Sequence, residues 1–416
     1  MTGEKIASFL TLLCFFAGGT GLLVRFYFCL SSRESLCIKR KGQGAGLREL
    51  AFVAGAVLFS RLCVYCAAHW INTIVSAEYS GNLVFNFRRL WVHWDARHYL
   101  GIAANGYTNV GDDRLRLVFF PLYPFLMAVF GRIAGNNLVL SGTLISLACA
   151  CGAGMCLYEL VLETLDREHA VLSLLYFLLN PLSLFMGCIY TESLFLFLMF
   201  LGLLLRVNGH SWAAALAGAL CAFTRMPGVI FAGFFVIDLV DALKRRAGVR
   251  RILSLILQIL VVFCGLLAYF GVNLAVTGDP FTYLIYQREN WFQRPGLPWD
   301  SMANTWHYFK TTVGDSDHWW TWGFQLVWVA YVLGLFLLAQ RKLPFDLAAY
   351  SFVYLYVVLA PTWLLSAPRY LFGLCTLPVM QSLVLKNRWL HGAMLLASGI
   401  LLIVYIYGFT VAVEVF

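Results

Sequence analysis

The chain has 416 residues, of which 61% are hydrophobic and only 12% are charged, and its mean hydropathy is +0.77. Soluble globular domains contain about 45–50% apolar and about 25% charged residues, so this composition excludes a soluble globular protein. The formal net charge is +9, but the basic residues occur in short loops between apolar runs and no nucleic-acid-binding motif accompanies them. We therefore expect an all-α, multi-pass membrane protein that contacts membrane lipids and binds no nucleic acid.

The N-terminal region is predicted to add one helix to the protein. Residues 6–30 are apolar and long enough to span a bilayer, and a basic segment follows at residues 31–48. A cleaved signal peptide is the alternative, but the length of the run and the lack of a small-residue cleavage site favour a retained helix. We expect residues 1–49 to form an extra transmembrane helix and a basic cytoplasmic loop, and residues 50–416 to form the main transmembrane domain.

Four basic loops set the predicted orientation, because Lys and Arg concentrate in the cytoplasmic loops of membrane proteins. These loops are residues 31–48, 244–251, 341–342 and 386–388. The outer loops are then residues 79–137 and 278–321. The predicted spans lie at residues 6–30, 51–77, 138–160, 170–187, 190–206, 211–225, 228–241, 252–276, 322–340, 345–363, 370–385 and 390–412.

The apolar run at residues 117–134 is the one left out of these spans. An odd number of crossings must separate the outer loop at 79–116 from the inner loop at 244–251, but six apolar pieces lie between them. The run at 117–134 is short and carries Pro121 and Pro124 near its start, so we interpret it as an interfacial or re-entrant segment. This leaves about twelve spans, and every polar break then faces the outer side.

The densest group of polar residues lies in the first outer loop, around Asp95. If residues 94–104 are helical, Asp95 shares a face with His98 and Tyr99 and the helix lies at the membrane surface. Partial desolvation there favours a carboxylate that acts as a general base. The alternative is that Asp95 pairs with Arg97 or caps the helix, while the aromatic residues form an interfacial belt.

Glu192 is a second candidate, because it begins an apolar helix just after the break at Asn180 and Pro181. An ionisable group near membrane depth is costly to bury and commonly marks a functional site. The alternative is a first-turn carboxylate that the helix dipole stabilises.

Arg225 and Arg369 lie at polar breaks between apolar runs, and Tyr370 follows the second arginine. Two isolated guanidinium groups at the outer face suit a lipid phosphate, because the planar fork binds phosphate oxygens and stays charged. The alternative is that each side chain extends towards the lipid headgroups.

Histidines and tryptophans are frequent in the second outer loop. They suit an acceptor surface for sugars or headgroups, although an interfacial belt is the more common use of such residues. The group comprises Trp291, Trp299, Trp306, His307, His318, Trp319, Trp320 and Trp322.

A series of short motifs resembles one family of membrane enzymes. The series starts with Trp94-Asp95-Ala96-Arg97-His98-Tyr99 and Gly106-Tyr107, and continues with Phe119-Phe120-Pro121-Leu122-Tyr123-Pro124. Asn180-Pro181, Tyr190-Thr191-Glu192-Ser193, Thr224-Arg225-Met226-Pro227-Gly228 and Pro368-Arg369-Tyr370 follow in order. Over residues 50–385 the chain is similar to the PIG-V family, the GPI mannosyltransferase II enzymes and their bacterial relatives.

The resemblance implies a polytopic helical bundle of the GT-C type and an inverting glycosyltransferase. The implied donor is a polyprenyl-phosphate sugar such as dolichyl phosphate mannose, used on the non-cytoplasmic face. It implies that Asp95 is the general base. The acceptor is expected to be a lipid-linked or cell-envelope glycan. His98, Tyr99, Glu192, Arg225, Arg369 and Tyr370 are the candidates for binding the donor phosphate or the substrate.

Neither a metal nor another cofactor is expected, because the sequence has no zinc-type Cys/His spacing and no P-loop. Two other functions stay open. One is transport or flipping of an anionic lipid-linked substrate, and the other is transfer of a different lipid-linked sugar. The expected location is a bacterial cell membrane, or the endoplasmic reticulum membrane in a eukaryote.

Overall fold

The computed structural model describes residues 2–32, 34–42, 44–75, 82–315 and 318–411. Over these residues the protein is helical, and the only paired extended backbone is an isolated bridge between Pro295 and Pro361. The predicted all-α class is therefore confirmed. Arg33, Asp317 and the start of the predicted outer loop at residues 79–81 lie outside the described residues.

Eighteen α-helices occur in the described ranges. The first nine are α1 (Gly3–Ser31), α2 (Leu47–Val75), α3 (Leu83–Trp91), α4 (Asp95–Asn105), α5 (Leu122–Ile133), α6 (Leu138–Thr164), α7 (Arg167–Leu179), α8 (Glu192–Val207) and α9 (Ser211–Ala222). The others are α10 (Ala232–Lys244), α11 (Val249–Thr277), α12 (Thr282–Asn290), α13 (Pro298–Thr311), α14 (Phe324–Ala339), α15 (Phe345–Leu359), α16 (Ala367–Phe372), α17 (Leu377–Val384) and α18 (Arg388–Thr410). Three 3₁₀ segments (Asp112–Val118, Pro181–Gly187, Met226–Phe231) and a π-helical segment (His318–Gly323) connect some of them.

The lengths of these helices confirm a multi-pass membrane protein. Within the described ranges, seven helices are long and apolar enough to cross a membrane, or nine if each of two bent pairs is one span. The predicted number of about twelve spans is not confirmed. Two predicted spans are not continuous helices. Residues 170–187 bend by 78° after Leu179, where Pro181 cannot continue the helix, and residues 370–385 are divided between α16 and α17.

The segment predicted to be interfacial or re-entrant bends even more sharply. The 3₁₀ segment Asp112–Val118 and α5 meet at 110°, with Pro121 between them. The hydroxyl of Tyr123 donates to the carbonyl of Gly142 at 3.0 Å and fixes α5 against α6. The bend places Phe119 and Phe120 beside the start of α4, at one end of the bundle.

A buried arginine holds the break between α7 and α8. Arg61 on α2 is 1% exposed and donates to the carbonyls of Leu178, at 3.3 Å, and Ser183. The side chain of Asn180 accepts a hydrogen bond from the amide of Leu182 at 3.0 Å. These contacts satisfy backbone groups that Pro181 leaves without helical partners. The chain therefore leaves α7 at a fixed angle and enters α8 at Glu192.

The N-terminal helix α1 packs along the bundle rather than standing apart from it. Near its start, Glu4 lies 3.1 Å from Lys310 of α13. Halfway along, Phe15 makes edge contacts with Phe352 and Tyr356 of α15. At its far end, the guanidinium of Arg25 donates to the carbonyl of Leu343 at 2.9 Å. Residues 1–49 are thus joined to the rest of the protein along the whole length of α1.

The residues after α1 form a strap (residues 34–42) that binds acidic side chains of three other helices. The amide of Leu36 donates to Asp241 of α10 at 3.3 Å, and Leu36 itself is fully buried. The amide of Ile38 donates to Asp346 of α15 at 2.9 Å. Arg40 lies 3.0 Å from Glu163 of α6. The basic residues of this loop were predicted to mark the cytoplasmic side, and the acidic partners of the strap were not predicted.

Asp346→Ala is expected to lower the free energy of unfolding by about 2–4 kcal/mol. Asp346 is fully buried and accepts hydrogen bonds from Ile38 and, at 2.7 Å, from Arg206. Its removal leaves Asp238 as the remaining carboxylate partner of Arg206. It also leaves the amide of Ile38 without its hydrogen-bond acceptor. Thermal unfolding in detergent measures the change, and Asp300→Ala at an exposed position of α13 is the control. Equal melting temperatures for the two variants would contradict this role.

Candidate active site

A strained turn places Asp95 at the first position of α4. The residue before it, Trp94, has φ +42°, a backbone conformation that favours glycine. Its indole ring packs edge-on against Phe409 at 5.3 Å, and the hydroxyl of Tyr190 donates to the carbonyl of His93 at 3.2 Å. These contacts hold the turn in place and connect it to the segment that leads into α8.

Glu192 begins α8, as the sequence predicts, and is 1% exposed. The following residue, Ser193, donates to the carbonyl of Met186 at 2.8 Å, so the first turn of α8 is tied to the break behind it. A carboxylate buried to this degree requires positive partners.

The two arginines come from different breaks. Arg225 precedes the 3₁₀ segment Met226–Phe231, and its turn needs Gly228, because a Cβ atom there would lie 2.3 Å from the carbonyl of Cys221. Arg369 lies in the short helix α16, whose first amide donates to the side chain of Gln325 at 2.9 Å. Both arginines are 8% exposed, so neither extends to the lipid headgroups.

The four charged side chains form an alternating chain of carboxylates and guanidinium groups. Arg225 Nη1 lies 2.7 Å from Glu192 Oε1, and Arg369 Nε lies 3.0 Å from the same oxygen. Arg369 Nη2 donates to Asp95 Oδ2 at 2.5 Å. The order is Arg225, Glu192, Arg369, Asp95, which we call the charge chain. Its formal charges balance, as buried ion pairs require.

This pairing corrects two expectations. Arg225 and Arg369 were predicted as isolated guanidinium groups, but Glu192 contacts both of them. The alternative pairing of Asp95 with Arg97 is also wrong, because Arg97 Nε donates to the carbonyl of Val92 at 3.4 Å. The sequence located all four members of the charge chain, and it did not predict how they pair.

The charge chain borders a partly open cleft with a cavity volume of about 160 Å³. Asp95, Arg225 and Arg369 all line it. Asp95 has the greatest access to it, with 22% of its side chain exposed. Tyr99 and Tyr370 line the cleft as well, and the guanidinium carbon of Arg225 lies 4.7 Å from the centre of the Tyr370 ring.

His98 occupies a different place from the other candidates. Its ring stacks on Phe119 at 4.6 Å, and it is not among the residues that line the cleft. Burial lowers the pKa of His98, so the ring is neutral at pH 7 and above. Burial raises the pKa of Tyr99, which therefore keeps its hydroxyl proton. His98 supports the aromatic wall of the site, whereas Tyr99 faces the cleft itself.

An apolar side groove continues from the cleft to the outside of the bundle. It shares Met226 and Tyr370 with the cleft and is lined further on by Val357 and Leu364. At its far end lie Leu284 and Val357, which are exposed on the surface of the bundle. Mostly apolar side chains therefore lie between the charge chain and the surface of the bundle, together with Gln287 and Gln293, which line both the cleft and the groove.

Three cleft residues were missed or only partly identified by the sequence analysis. Gln287 and Gln293 line the cleft, and nothing in their sequence surroundings singled them out. Trp291 belonged to the larger group of His and Trp residues, and of that group it is the one that lines the cleft. Others pack elsewhere: His318 stacks on Phe309 at 4.2 Å, and Trp322 stacks on Tyr308 at 4.7 Å.

Across the described residues, no group of three or more His, Cys, Asp or Glu side chains is arranged to hold a metal ion. The positive charge in the cleft comes from Arg225 and Arg369. An anionic ligand would therefore meet guanidinium groups, whose fork geometry matches phosphate oxygens.

Comparison with known proteins gives one family match and several relatives. The profile of a family described as Mannosyltransferase (PIG-V) matches residues 49–369. GPI mannosyltransferase 2 of Schizosaccharomyces pombe is 25% identical over 259 residues, which are 61% of this chain and 53% of that protein. GPI alpha-1,6-mannosyltransferase 2 of Mus musculus is 30% identical over 153 residues, 34% of this chain and 30% of that protein. The chain spans about half the length of the first of these relatives.

Among solved structures, the oligosaccharyltransferase of Archaeoglobus fulgidus is similar with a TM-score of 0.39 and 12% identity. The similarity covers 85% of this chain and 53% of that one. At these values it carries no argument about the site.

Proposed function

Because the chain belongs to the mannosyltransferase (PIG-V) family, we propose that it transfers a mannosyl group from a polyprenyl-phosphate donor to a lipid-linked glycan. The transfer takes place on the non-cytoplasmic face of the membrane, in a helical bundle of the GT-C type. The curated relatives carry names of GPI mannosyltransferases, so a GPI precursor glycolipid is the proposed acceptor.

The observation that carries this proposal is the charge chain at the border of the cleft. It combines one carboxylate with access to the cleft, Asp95, and two buried guanidinium groups, Arg225 and Arg369. Sugar transfer from a lipid phosphate needs a base for the acceptor hydroxyl and positive charge for the departing phosphate. The side groove adds an apolar passage that suits the first isoprene units of the donor.

In the proposed reaction, Asp95 removes the proton of an acceptor hydroxyl. The oxygen of that hydroxyl attacks the anomeric carbon of the donor at the same time. The bond between that carbon and the phosphate oxygen breaks, and the electron pair leaves with the lipid phosphate. Attack opposite the leaving group inverts the configuration at the anomeric carbon. Arg225 and Arg369 stabilise the charge that develops on the phosphate, without a metal ion.

The contact between Arg369 and Asp95 implies that, in the proposed mechanism, the donor binds before Asp95 deprotonates the acceptor. With Arg369 Nη2 at 2.5 Å, Oδ2 of Asp95 already accepts a hydrogen bond from a guanidinium N–H. A phosphate that enters the cleft competes for the same guanidinium. Binding of the donor therefore releases Asp95 for the acceptor hydroxyl. Glu192 keeps both arginines in position during this exchange, and Tyr99 and Tyr370 contact the substrate.

Transfer by the intact protein tests the proposal directly. Membranes containing the full chain receive a short-chain polyprenyl phosphate mannose and a GPI precursor glycolipid, and mass spectrometry follows the glycolipid. We expect it to gain the mass of one hexose, with the linkage inverted relative to the donor. Membranes without the protein are the control. Transfer from a nucleotide sugar alone, or no transfer from the lipid donor, would overturn the proposed function.

A further inference from the structure

Three uncharged side chains line the cleft beside the charge chain. Gln287 is on α12, and Trp291 and Gln293 follow directly after that helix. All three are half-buried. The Trp291 ring packs edge-on against Phe119 at 6.3 Å, and Phe119 stacks on His98, so the indole extends an aromatic wall that starts at α4.

Backbone contacts hold this part of the wall in place. The amides of Trp291 and Gln293 both donate to the carbonyl of Gln287 at 3.1 Å. Phe292 between them has φ +52°, in the region that favours glycine, so the turn is strained as well as tight. Strain of this kind persists only where the surrounding structure fixes the backbone.

Hydrogen bonds connect the end of this turn to the segment that leads into α16. The amide of Arg294 donates to the hydroxyl of Thr362 at 3.1 Å, and the amide of Thr362 donates to the carbonyl of Arg294 at 3.0 Å. Gln293 Nε2 donates to the carbonyl of Trp363 at 3.3 Å. The wall that carries Trp291 is therefore fixed relative to the segment that carries Arg369.

The chemistry of these side chains differs from that of the arginines. A carboxamide both donates and accepts hydrogen bonds and carries no charge. Among the described residues, no hydrogen bond to the side chain of Gln287 is found. Gln293 uses its side-chain nitrogen, and not its side-chain oxygen, in the contact with Trp363. An indole offers a flat apolar face. Two amides next to such a face match the hydroxyls and the C–H face of a sugar ring, and they bring no positive charge for the binding of a phosphate.

We propose that Gln287, Trp291 and Gln293 form a hexose subsite within the cleft, which sets the preference of the protein for the sugar. The identity of the sugar as mannose rests on the proposed function. The ring that occupies the subsite belongs either to the donor or to the acceptor glycan, and the two sources share the same recognition chemistry.

Binding measurements on the purified full chain test the subsite without requiring turnover. The probes are a short-chain polyprenyl phosphate with and without mannose, and a GPI precursor glycolipid with and without its terminal hexose. We expect one of these pairs to show tighter binding of the glycosylated member. Gln287→Leu and Trp291→Ala should each reduce that advantage about fivefold to tenfold. Affinity of Trp291→Ala for the bare polyprenyl phosphate should stay unchanged, because Trp291 lines the cleft and not the side groove.

Control variants come from the same outer segment. Asn290→Ala removes an exposed amide one turn from Gln287, and Trp319→Ala removes an indole that is 64% exposed and outside the cleft. Both should leave every affinity unchanged. Trp291→Phe keeps an aromatic face and should retain part of the preference. Melting temperatures of all variants separate loss of the subsite from loss of the fold.

The outcomes of these measurements support, assign or overturn the hexose subsite as follows. Loss of preference in the donor pair assigns the subsite to the donor sugar, and loss in the acceptor pair assigns it to the acceptor glycan. Equal binding of glycosylated and bare probes by the unmodified protein, or a preference that survives Gln287→Leu and Trp291→Ala, overturns the subsite. Selective binding without any mannosyl transfer would remove the proposed function and leave the subsite in place.

Discussion

Asp95→Asn is expected to lower the rate of mannosyl transfer by about 10²–10⁴-fold. Asparagine keeps the size of the side chain and a hydrogen-bond acceptor for Arg369, but it cannot take a proton from the acceptor hydroxyl. Asp95→Ala should be at least as inactive. Initial rates of transfer from a polyprenyl phosphate mannose in membranes measure the effect, with the amount of folded protein determined for each variant.

The matched control for this prediction is Asp112→Asn, because Asp112 lies in the segment between α4 and α5 and its side chain is fully exposed. It should transfer mannose at the rate of the unmodified protein. Donor affinity of Asp95→Asn should fall little, since Arg225 and Arg369 remain in the cleft. Undiminished transfer by both the Asn and Ala variants would exclude Asp95 as the base.

Glu192→Ala is expected to destabilise the protein by about 3–5 kcal/mol. Glu192 Oε1 contacts both buried arginines, so its removal leaves two guanidinium groups and only Asp95 to balance them. Glu192→Gln keeps the shape and one hydrogen bond, and should be less destabilised than Glu192→Ala. Thermal unfolding in detergent and the yield of folded protein both report the effect.

A double substitution tests whether the charges of Glu192 and Arg225 are coupled. In Glu192→Gln combined with Arg225→Gln, one positive and one negative charge are removed together, so the remaining pair of Arg369 and Asp95 is again balanced. The double variant should be more stable than Glu192→Gln alone, as coupled charges predict. Glu289→Gln, at an exposed position, is the control. Additive effects of the two substitutions would contradict a shared charge chain.

The broad class of the fold could be predicted from the sequence, because apolar runs of span length leave few alternatives. The start of α4 at Asp95 and of α8 at Glu192 also followed from local pattern. The number of spans is not confirmed, because helices break before Pro181 and before Pro378, inside two of the predicted spans. Hydropathy records how apolar a segment is, and it does not record where its axis bends.

Contacts between distant residues were the part that the sequence left open. Asp95 and Arg369 are 274 positions apart, and each had a nearer partner or a solvent-exposed alternative. The acidic partners of the strap, in α6, α10 and α15, were equally unpredicted. Resemblance to a family identified Asp95, but it assigned no partner to Arg369.

The balanced charge of the charge chain has a consequence for which anions the resting cleft attracts. Long-range electrostatic attraction depends on net charge, and the formal charges of Arg225, Glu192, Arg369 and Asp95 cancel. The charge chain by itself therefore adds no long-range attraction for soluble phosphate esters. The lipid phosphate of the proposed function would not need such attraction, because it is confined to the bilayer. Under that proposal, the neutral charge chain would favour a membrane-bound donor over water-soluble phosphate esters before any direct contact.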